Sequence, residues 1–474
     1  SSAGVGVTVA VLVLDKEVKA RVGSALLNAV NNITVSARAD DNVFFVGATF
    51  GASGSTAVSL GGNMLYFEND ILAELGGKAI SSTDIAIRAE SDALLVVFAL
   101  AFAGSGSVAV GGAGAGIYFT GSTIARILDG AEVSAAGKTD VEALSSEIVS
   151  PDALGIAGSG TAAVSGAVVI VITSLETKAY IGKYVTLKAG ALNINAEDDY
   201  LLVGVAATAA GSGTAAVAVT AVVAVASNTV SAYISGLSDE ELLSETADAL
   251  RSHITTTSGD VSLRAKSNRD IKLYAGTVAI GGAAGVAATI MVAVVGGKLN
   301  QDSANELGKG FNAGEFENGM AAGSLDIAKG YSKKDGNLSL TKQLEGDGDL
   351  RSGDTVGSDG EFNGSDGYVD PDLDDEYDGD KKDSPGSDHT PDKKPGGDAD
   401  NAANLGRTQP NYDPKDSTSA YIGSGAIIVS AGNIDVLAED LLTTDIVTAT
   451  IGGGLYAGVG AGLSVAVLFS NVLD

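Results

Sequence analysis

The chain has no cysteine and no tryptophan, and only two histidines and three methionines among its 474 residues. Without cysteine it can form neither disulfide bonds nor thiolate zinc sites, and it has no thiol nucleophile. Basic residues are scarce as well: 29 lysines and arginines stand against 59 aspartates and glutamates, so the net charge is −30. Because nucleic acids and anionic membrane surfaces attract basic proteins, this charge argues against both as partners.

Long uninterrupted runs of strongly apolar residues are also absent, so the sequence predicts no integral membrane span. The abundant residues are glycine, with 64 copies, and alanine, valine, serine and threonine in short alternating runs. Alternation of this kind, interrupted by glycine, is typical of β-strands joined by tight turns. The composition therefore predicts an all-β protein with a thin interior.

A glycine-rich turn recurs along the chain at nearly constant spacing. Gly54, Gly106, Gly160 and Gly213 are separated by 52, 54 and 53 residues. A block of short strands recurs in the same phase. A fixed period of this length indicates a solenoid in which each repeat is one rung. We therefore predict a parallel β-solenoid with rungs of about 53 residues that carry long stacked hairpins. Equivalent residues such as Tyr180, Tyr233 and Tyr421 should then lie in one column.

Two insertions interrupt this pattern. The predicted organisation is a solenoid over residues 1–297, a large acidic insertion over 298–416 and a continuation of the solenoid over 417–474. Within the first part, residues 237–253 form a small insertion in which Ser238 and Glu241 match a helix capping box, which predicts one short amphipathic helix. Residues 301–416 of the large insertion include 27 acidic and 12 basic residues.

Two groups of aspartates lie among glycines in the large insertion. This spacing lets several carboxylate oxygens converge on Ca²⁺, which binds about 6–8 oxygens, although neither group matches the EF-hand loop. We interpret the groups as a calcium site; the alternative is a solvated, self-repelling acidic loop. The predicted ligands are Asp347, Asp349, Asp354, Asp370, Asp372, Asp374, Asp378 and Asp380.

Acidic residues also recur where each rung turns from its short strands into the hairpin. If the rungs stack in register, these acids should form one column, and like charges directly opposite each other are destabilising. We therefore expect solvent, basic neighbours or cations beside them. The pairs are Asp40/Asp41, Glu90/Asp92, Glu197/Asp198 and Glu439/Asp440.

The sequence offers no distinct catalytic cluster. Both histidines, His253 and His389, belong to the insertions, and the many carboxylates do not gather on one face of the solenoid. We therefore predict that the protein is not an enzyme. A secreted toxin or polysaccharide-acting enzyme stays open as an alternative, since β-helical enzymes that act on polysaccharides can use Asp, Arg and Ca²⁺.

The run Thr214–Ala226 is apolar at both alternating sets of positions, as expected for a strand covered on two faces. The facing sheet of the hairpin covers one side, and we expect Val219→Asp to disrupt the slab by placing a charge between the sheets. The other side needs a second cover, which we predict to be another copy of the chain; lipid is the rival. The residues predicted to mediate self-association are Val217, Val219, Val223, Val225, Leu201, Val203 and Val205.

The short-strand block has the form AYIG–x–VxxxAG–xIxVxAED and is clearest at Lys178–Asp198 and Ser419–Asp440. It resembles the passenger repeats of large bacterial exoproteins, the filamentous-haemagglutinin-like adhesins and leukotoxin-type repeat proteins of Gram-negative bacteria. The resemblance implies a right-handed parallel β-solenoid that is secreted to the cell surface and serves as a stalk, adhesin or matrix element.

These observations favour an extracellular structural β-solenoid that assembles with its own copies into a fibre, matrix or surface layer. The first alternative is a bacterial surface adhesin whose stalk is the solenoid and whose binding head, for a host or matrix glycan, is the acidic insertion. Neither end of the sequence resembles a capping repeat, so we expect the chain to be a segment of a longer protein or filament.

Overall fold

A computed structural model of the chain describes residues 2–243, 250–296 and 418–468, with short strands at 355–356, 362–363 and 472–473. Each rung contributes a long strand to sheet A, a short strand to sheet B and a second long strand to sheet C, and all the pairing within these sheets is parallel. The prediction of a parallel β-solenoid is therefore confirmed.

Sheet A contains β1 (Ala3–Val22), β4 (Thr56–Leu75), β7 (Val108–Ile127), β10 (Ala162–Ile181), β13 (Ala215–Ile234), β16 (Ala284–Val295), β19 (Thr418–Ile422), β22 (Ala457–Leu468) and β23 (Val472–Leu473). Sheet B contains β2 (Leu26–Ala29), β5 (Lys78–Ser81), β8 (Glu132–Ala135), β11 (Thr186–Ala189), β14 (His253–Thr256) and β20 (Ile427–Val429). Sheet C contains β3 (Ile33–Ser53), β6 (Ile85–Ser105), β9 (Lys138–Ser159), β12 (Ala191–Ser212), β15 (Val261–Gly281) and β21 (Ile434–Gly453).

Equivalent residues of successive rungs pair in register. Tyr180 pairs with Tyr233, and Tyr233 pairs with Tyr421. Their rings stack with centroids 4.7 Å and 4.9 Å apart, close to the spacing of neighbouring strands. The tyrosine column expected from the repeat is confirmed.

Each glycine turn joins two strands that do not hydrogen-bond to each other, because one belongs to sheet C and the next to sheet A. The two sheets face each other and form a slab. The apolar cluster near the turns consists of alanines, with Ser59 and Ser165 buried beside them, and the approach is so close that a Cβ on Gly155 would lie 2.2 Å from the carbonyl oxygen of Gly166. Larger side chains such as Leu65 and Phe67 fill the middle of the slab. Beyond them, sheet B closes a three-sided coil with its own apolar core.

The two insertions enter the rungs at different points. The small insertion follows β13 and contains one described helical turn, α1 (Asp239–Leu242), while residues 244–249 of the predicted helix lie outside the described residues. The large insertion divides a strand of sheet A, because β16 and β19 both pair with β13. Within it, the structure describes only the antiparallel pair β17 (Thr355–Val356) and β18 (Phe362–Asn363).

The predicted capping box is present at α1. The amide of Glu241 donates to Ser238 Oγ at 3.3 Å, and the amide of Ser238 donates to Glu241 Oε2 at 2.7 Å. Tyr184 and Lys183 also donate to the Glu241 carboxylate. Hydrogen bonds from Tyr184, the Ser238 amide and Lys183 lower the pKa of Glu241 to about 2, so this turn is tied to the solenoid through an ionised carboxylate.

Candidate functional site

The outer face of sheet A, on the slab, is apolar over its whole height. Residues that pair in register from rung to rung form columns of outward-facing side chains. Five such columns run through seven rungs, and they begin in β1 at Val5, Val7, Val9, Val11 and Val13. We call these positions the apolar face. The first column is valine in every rung: Val5, Val58, Val110, Val164, Val217, Val286 and Val459.

The other four columns contain only Val, Leu, Ile, Met, Ala, Gly and two stacked tyrosines, Tyr66 and Tyr118. Every position of the apolar face is described, and none carries a charge. In the fourth rung, away from the sheet edges, Val168 is still 42% exposed and Ile170 40% exposed. Charged side chains begin in the next column toward the coil, at Asp15 and Glu68. Val217, Val225 and Val294, in the fifth and sixth rungs, are only 5–8% exposed, so the open part of the apolar face is centred on the first four rungs.

All seven residues predicted for self-association point away from the slab interior, but they lie on two different faces. Val217, Val219, Val223 and Val225 belong to the apolar face. The prediction that Val219 lies between the sheets is therefore wrong; the inward set of β13 includes Val222, which has no exposed surface.

Leu201, Val203 and Val205 lie on the outer face of sheet C, where charge interrupts the apolar surface. Asp152 pairs with Val205 on one side, and Lys272 pairs with Val203 on the other. Sheet C therefore presents a mixed surface, and the uninterrupted apolar face belongs to sheet A alone.

The corner acids occupy several columns, so the expectation of one column is wrong. Glu90, Glu197 and Glu439 share an outward column in which Arg38 and Lys266 alternate with them. Arg38 Nη1 lies 3.2 Å from Glu90 Oε2, and Lys266 Nζ lies 2.5 Å from Glu197 Oε1. In this column the basic neighbours relieve the like-charge repulsion that stacking would otherwise create, whereas the exposed Asp40 and Asp92 pair directly with each other.

An open depression of about 350 Å³ lies beside this column and is lined by residues that include Arg38, Glu90, Asp92, Glu197 and Asp199. Among the described residues, no group of three or more His, Cys, Asp or Glu side chains has an arrangement suited to a metal ion. The eight aspartates predicted to bind calcium all lie outside the described residues.

A buried set of polar side chains crosses the interior between the cores of the slab and the coil. Composition and periodicity gave no indication of it, since its members come from separate rungs and meet only when strands stack. Asn228 Nδ2 donates to Asp198 Oδ2 at 2.7 Å, and Arg269 donates to both carboxylate oxygens of Asp440 at 2.6 Å. We call this set the polar seam, and it consists of Ser91, Ser145, Glu147, Asp198, Asn228, Arg269 and Asp440.

Two carboxyl groups of the polar seam, those of Glu147 and Asp198, have raised pKa values. Burial, followed by the charge of Asp198, raises the pKa of Glu147 well above its ordinary value. Burial also raises the pKa of Asp198 to about 6, although Asn228 and Arg269 oppose the shift. Glu147 Oε2 and Asp198 Oδ1 otherwise have no hydrogen-bond partner. A shared proton, held by Glu147 and donated to Asp198, would satisfy both atoms.

This arrangement predicts that Glu147→Gln stabilises the protein at high pH. A raised pKa in the folded state means that Glu147 contributes most stability below its unfolded pKa, about 4.3, and loses that contribution as pH rises through the folded value. Glutamine stays neutral and can still donate to Asp198. Thermal unfolding should be measured from pH 4 to pH 8. The Tm of the variant minus the Tm of wild type should be near zero at pH 4 and positive at pH 8. Glu132→Gln on the exposed surface is the control, and a difference that does not grow with pH would contradict the shared proton.

No protein-family model, curated protein or solved structure matches this chain. None of the helices in the described residues is long and apolar enough to cross a membrane. The function therefore has to be inferred from the geometry of the chain itself.

Proposed function

We propose that this chain is an extracellular structural β-solenoid that self-assembles through the apolar face into a fibre, matrix or surface layer. The observation that carries the proposal is the uncharged, apolar face of sheet A, five columns wide and seven rungs tall. The repeat likeness to bacterial exoproteins at Lys178–Asp198 and Ser419–Asp440 supports the cell-surface location.

The size of the apolar face supports association with another molecule. Columns about 6.6 Å apart and rungs about 4.8 Å apart give a face of roughly 800 Å². Each partner in a standard protein–protein interface buries about 800 Å², whereas the largest apolar patch of a typical monomer is about 300–600 Å². The face is thus large enough for a specific interface, although Val217, Val225 and Val294 contribute little exposed surface to it.

The charge distribution favours a second copy of the chain as the partner. A flat, uncharged β-sheet surface needs no charge complementarity, and two such faces pack about 10 Å apart in β-sandwiches. None of the described charged side chains belongs to the apolar face, and the net charge of −30 repels other copies only over the screening length. This length is about 8 Å at physiological ionic strength, so salt should favour association.

Sedimentation velocity across a NaCl series tests the proposal. We expect wild-type protein to shift from small to larger species as salt increases. Val168→Asp places a charge in the centre of the apolar face and should keep the protein monomeric. Thr186→Asp adds the same charge on the exposed side of sheet B and should assemble like wild type. Wild-type protein that stays monomeric at every salt concentration would contradict self-assembly.

A further inference from the structure

The apolar face has one hollow, formed where glycines of two neighbouring rungs meet. Gly62 and Gly114 pair in register. A Cβ placed on Gly62 would meet no atom within 4 Å, and one on Gly114 would meet only a backbone oxygen at 4.0 Å. The side chains of Leu60 and Met64, 43% and 37% exposed, stand beside the hollow in the second rung. The surface is therefore open at this point and surrounded by larger apolar side chains.

A ridge lies directly beside the hollow. In the fourth rung, Val168, Ile170 and Ile172 are 38–42% exposed. Val168 pairs in register with Gly114 of the third rung. A hollow and a ridge thus occupy the same position along two adjacent strands, β7 and β10.

We propose that two copies of the chain pack face to face about a two-fold axis that runs parallel to the strands, between the third and fourth rungs. Rotation about this axis places the third rung of one copy opposite the fourth rung of the other. Facing residues then lie at the same position along their strands. Val168 of each copy then faces Gly114 of the other, as an isologous interface requires. This inference rests on the proposed function, because it specifies how the apolar face associates. An isologous contact closes at two copies, so growth into a fibre or layer needs a further contact outside the apolar face.

The same axis pairs the other positions of the face, although in the second column it places Gly166 of one copy over Gly112 of the other, where neither has a side chain. It lies near the middle of the seven rungs, so six rungs of each copy overlap. The second rung of one copy faces the fifth rung of the other, which places Ala221 over Gly62 and leaves the hollow unobstructed. In the first column every residue from the first rung to the sixth is a valine, so each valine of one copy faces a valine of the other, beginning with Val5 opposite Val286. Sheets packed face to face keep their strands within about 30° of each other, which this arrangement satisfies.

Gly114→Val tests the inference, because valine would occupy the hollow and its Cβ would meet no atom of its own chain closer than 4.0 Å. We expect the dimer dissociation constant, measured by sedimentation, to increase at least tenfold. Gly276→Val is the matched control: Gly276 faces outward on sheet C, where a Cβ meets nothing within 4 Å, and its assembly should equal wild type. The double variant Gly114→Val/Val168→Gly exchanges ridge and hollow and should recover most of the lost affinity.

The outcomes separate this inference from the proposed function. If wild type assembles and Gly114→Val assembles equally well, the two-fold register is wrong and self-assembly through the face stands. If Gly276→Val weakens assembly as much as Gly114→Val, the hollow has no special role and the register is again wrong. If wild type stays monomeric in salt but binds phosphatidylcholine vesicles, lipid covers the face and both proposals fail.

Discussion

Val222→Asp is expected to prevent the slab from folding, whereas Val223→Asp, one residue further along β13, should leave a folded protein. Val222 is fully buried between sheets A and C, in the cluster that includes Leu202 and Val169. An aspartate there would be an unpaired charge in an apolar interior, which costs several kcal/mol. Domains are stable by only about 5–15 kcal/mol in total. Val223 points outward, where a carboxylate keeps contact with water.

Far-UV circular dichroism and thermal unfolding at low salt and low protein concentration would measure this difference without a contribution from assembly. The Val222→Asp variant should lose its β-sheet signal or unfold far below wild type, and Val223→Asp should unfold within a few degrees of it. Similar unfolding temperatures for the two variants would contradict the orientation of β13.

Arg269→Met should be the most destabilising change in the polar seam. The arginine is 3% exposed, donates to both oxygens of Asp440 and lies close enough to Asp198 to favour its ionised form. Methionine keeps much of the volume but leaves two buried carboxyl groups without their cation. Breaking a buried ion pair in this way costs about 3–5 kcal/mol, which denaturant or thermal unfolding would detect directly.

The solenoid provides a matched control for this prediction. Arg264 lies on the same strand as Arg269 and contacts Glu439 at 2.8 Å, but the two side chains are 47% and 39% exposed. Arg264→Met should cost only about 0–1 kcal/mol, as is usual for surface ion pairs. The double variant Arg269→Met/Asp440→Leu removes both charges of the buried pair and should recover most of the loss. Equal effects of the two single variants would contradict burial of the Arg269–Asp440 pair.

Repetition made most of the fold predictable from the sequence. In a parallel solenoid each rung pairs with the next at the same position, so the spacing of Gly54, Gly106, Gly160 and Gly213 already contains the register of the sheets. The same argument predicted that Tyr180, Tyr233 and Tyr421 would stack. It failed for the corner acids, because neighbouring residues of a strand point to opposite sides, so Glu197 faces outward and Asp198 faces inward.

The sequence alone determined the repeat, the parallel stacking of rungs and the presence of strands that are apolar on both sides. Only the tertiary structure decided which side of β13 is inside. Alternation distinguishes the two faces of a strand only when one is polar, and here Val219 and Val222 look equivalent. Which of the two is buried depends on which side of sheet A is covered by sheet C. The polar seam was likewise decided in three dimensions, since Glu147, Asp198 and Arg269 come from three different rungs and meet only because parallel strands stack about 4.8 Å apart.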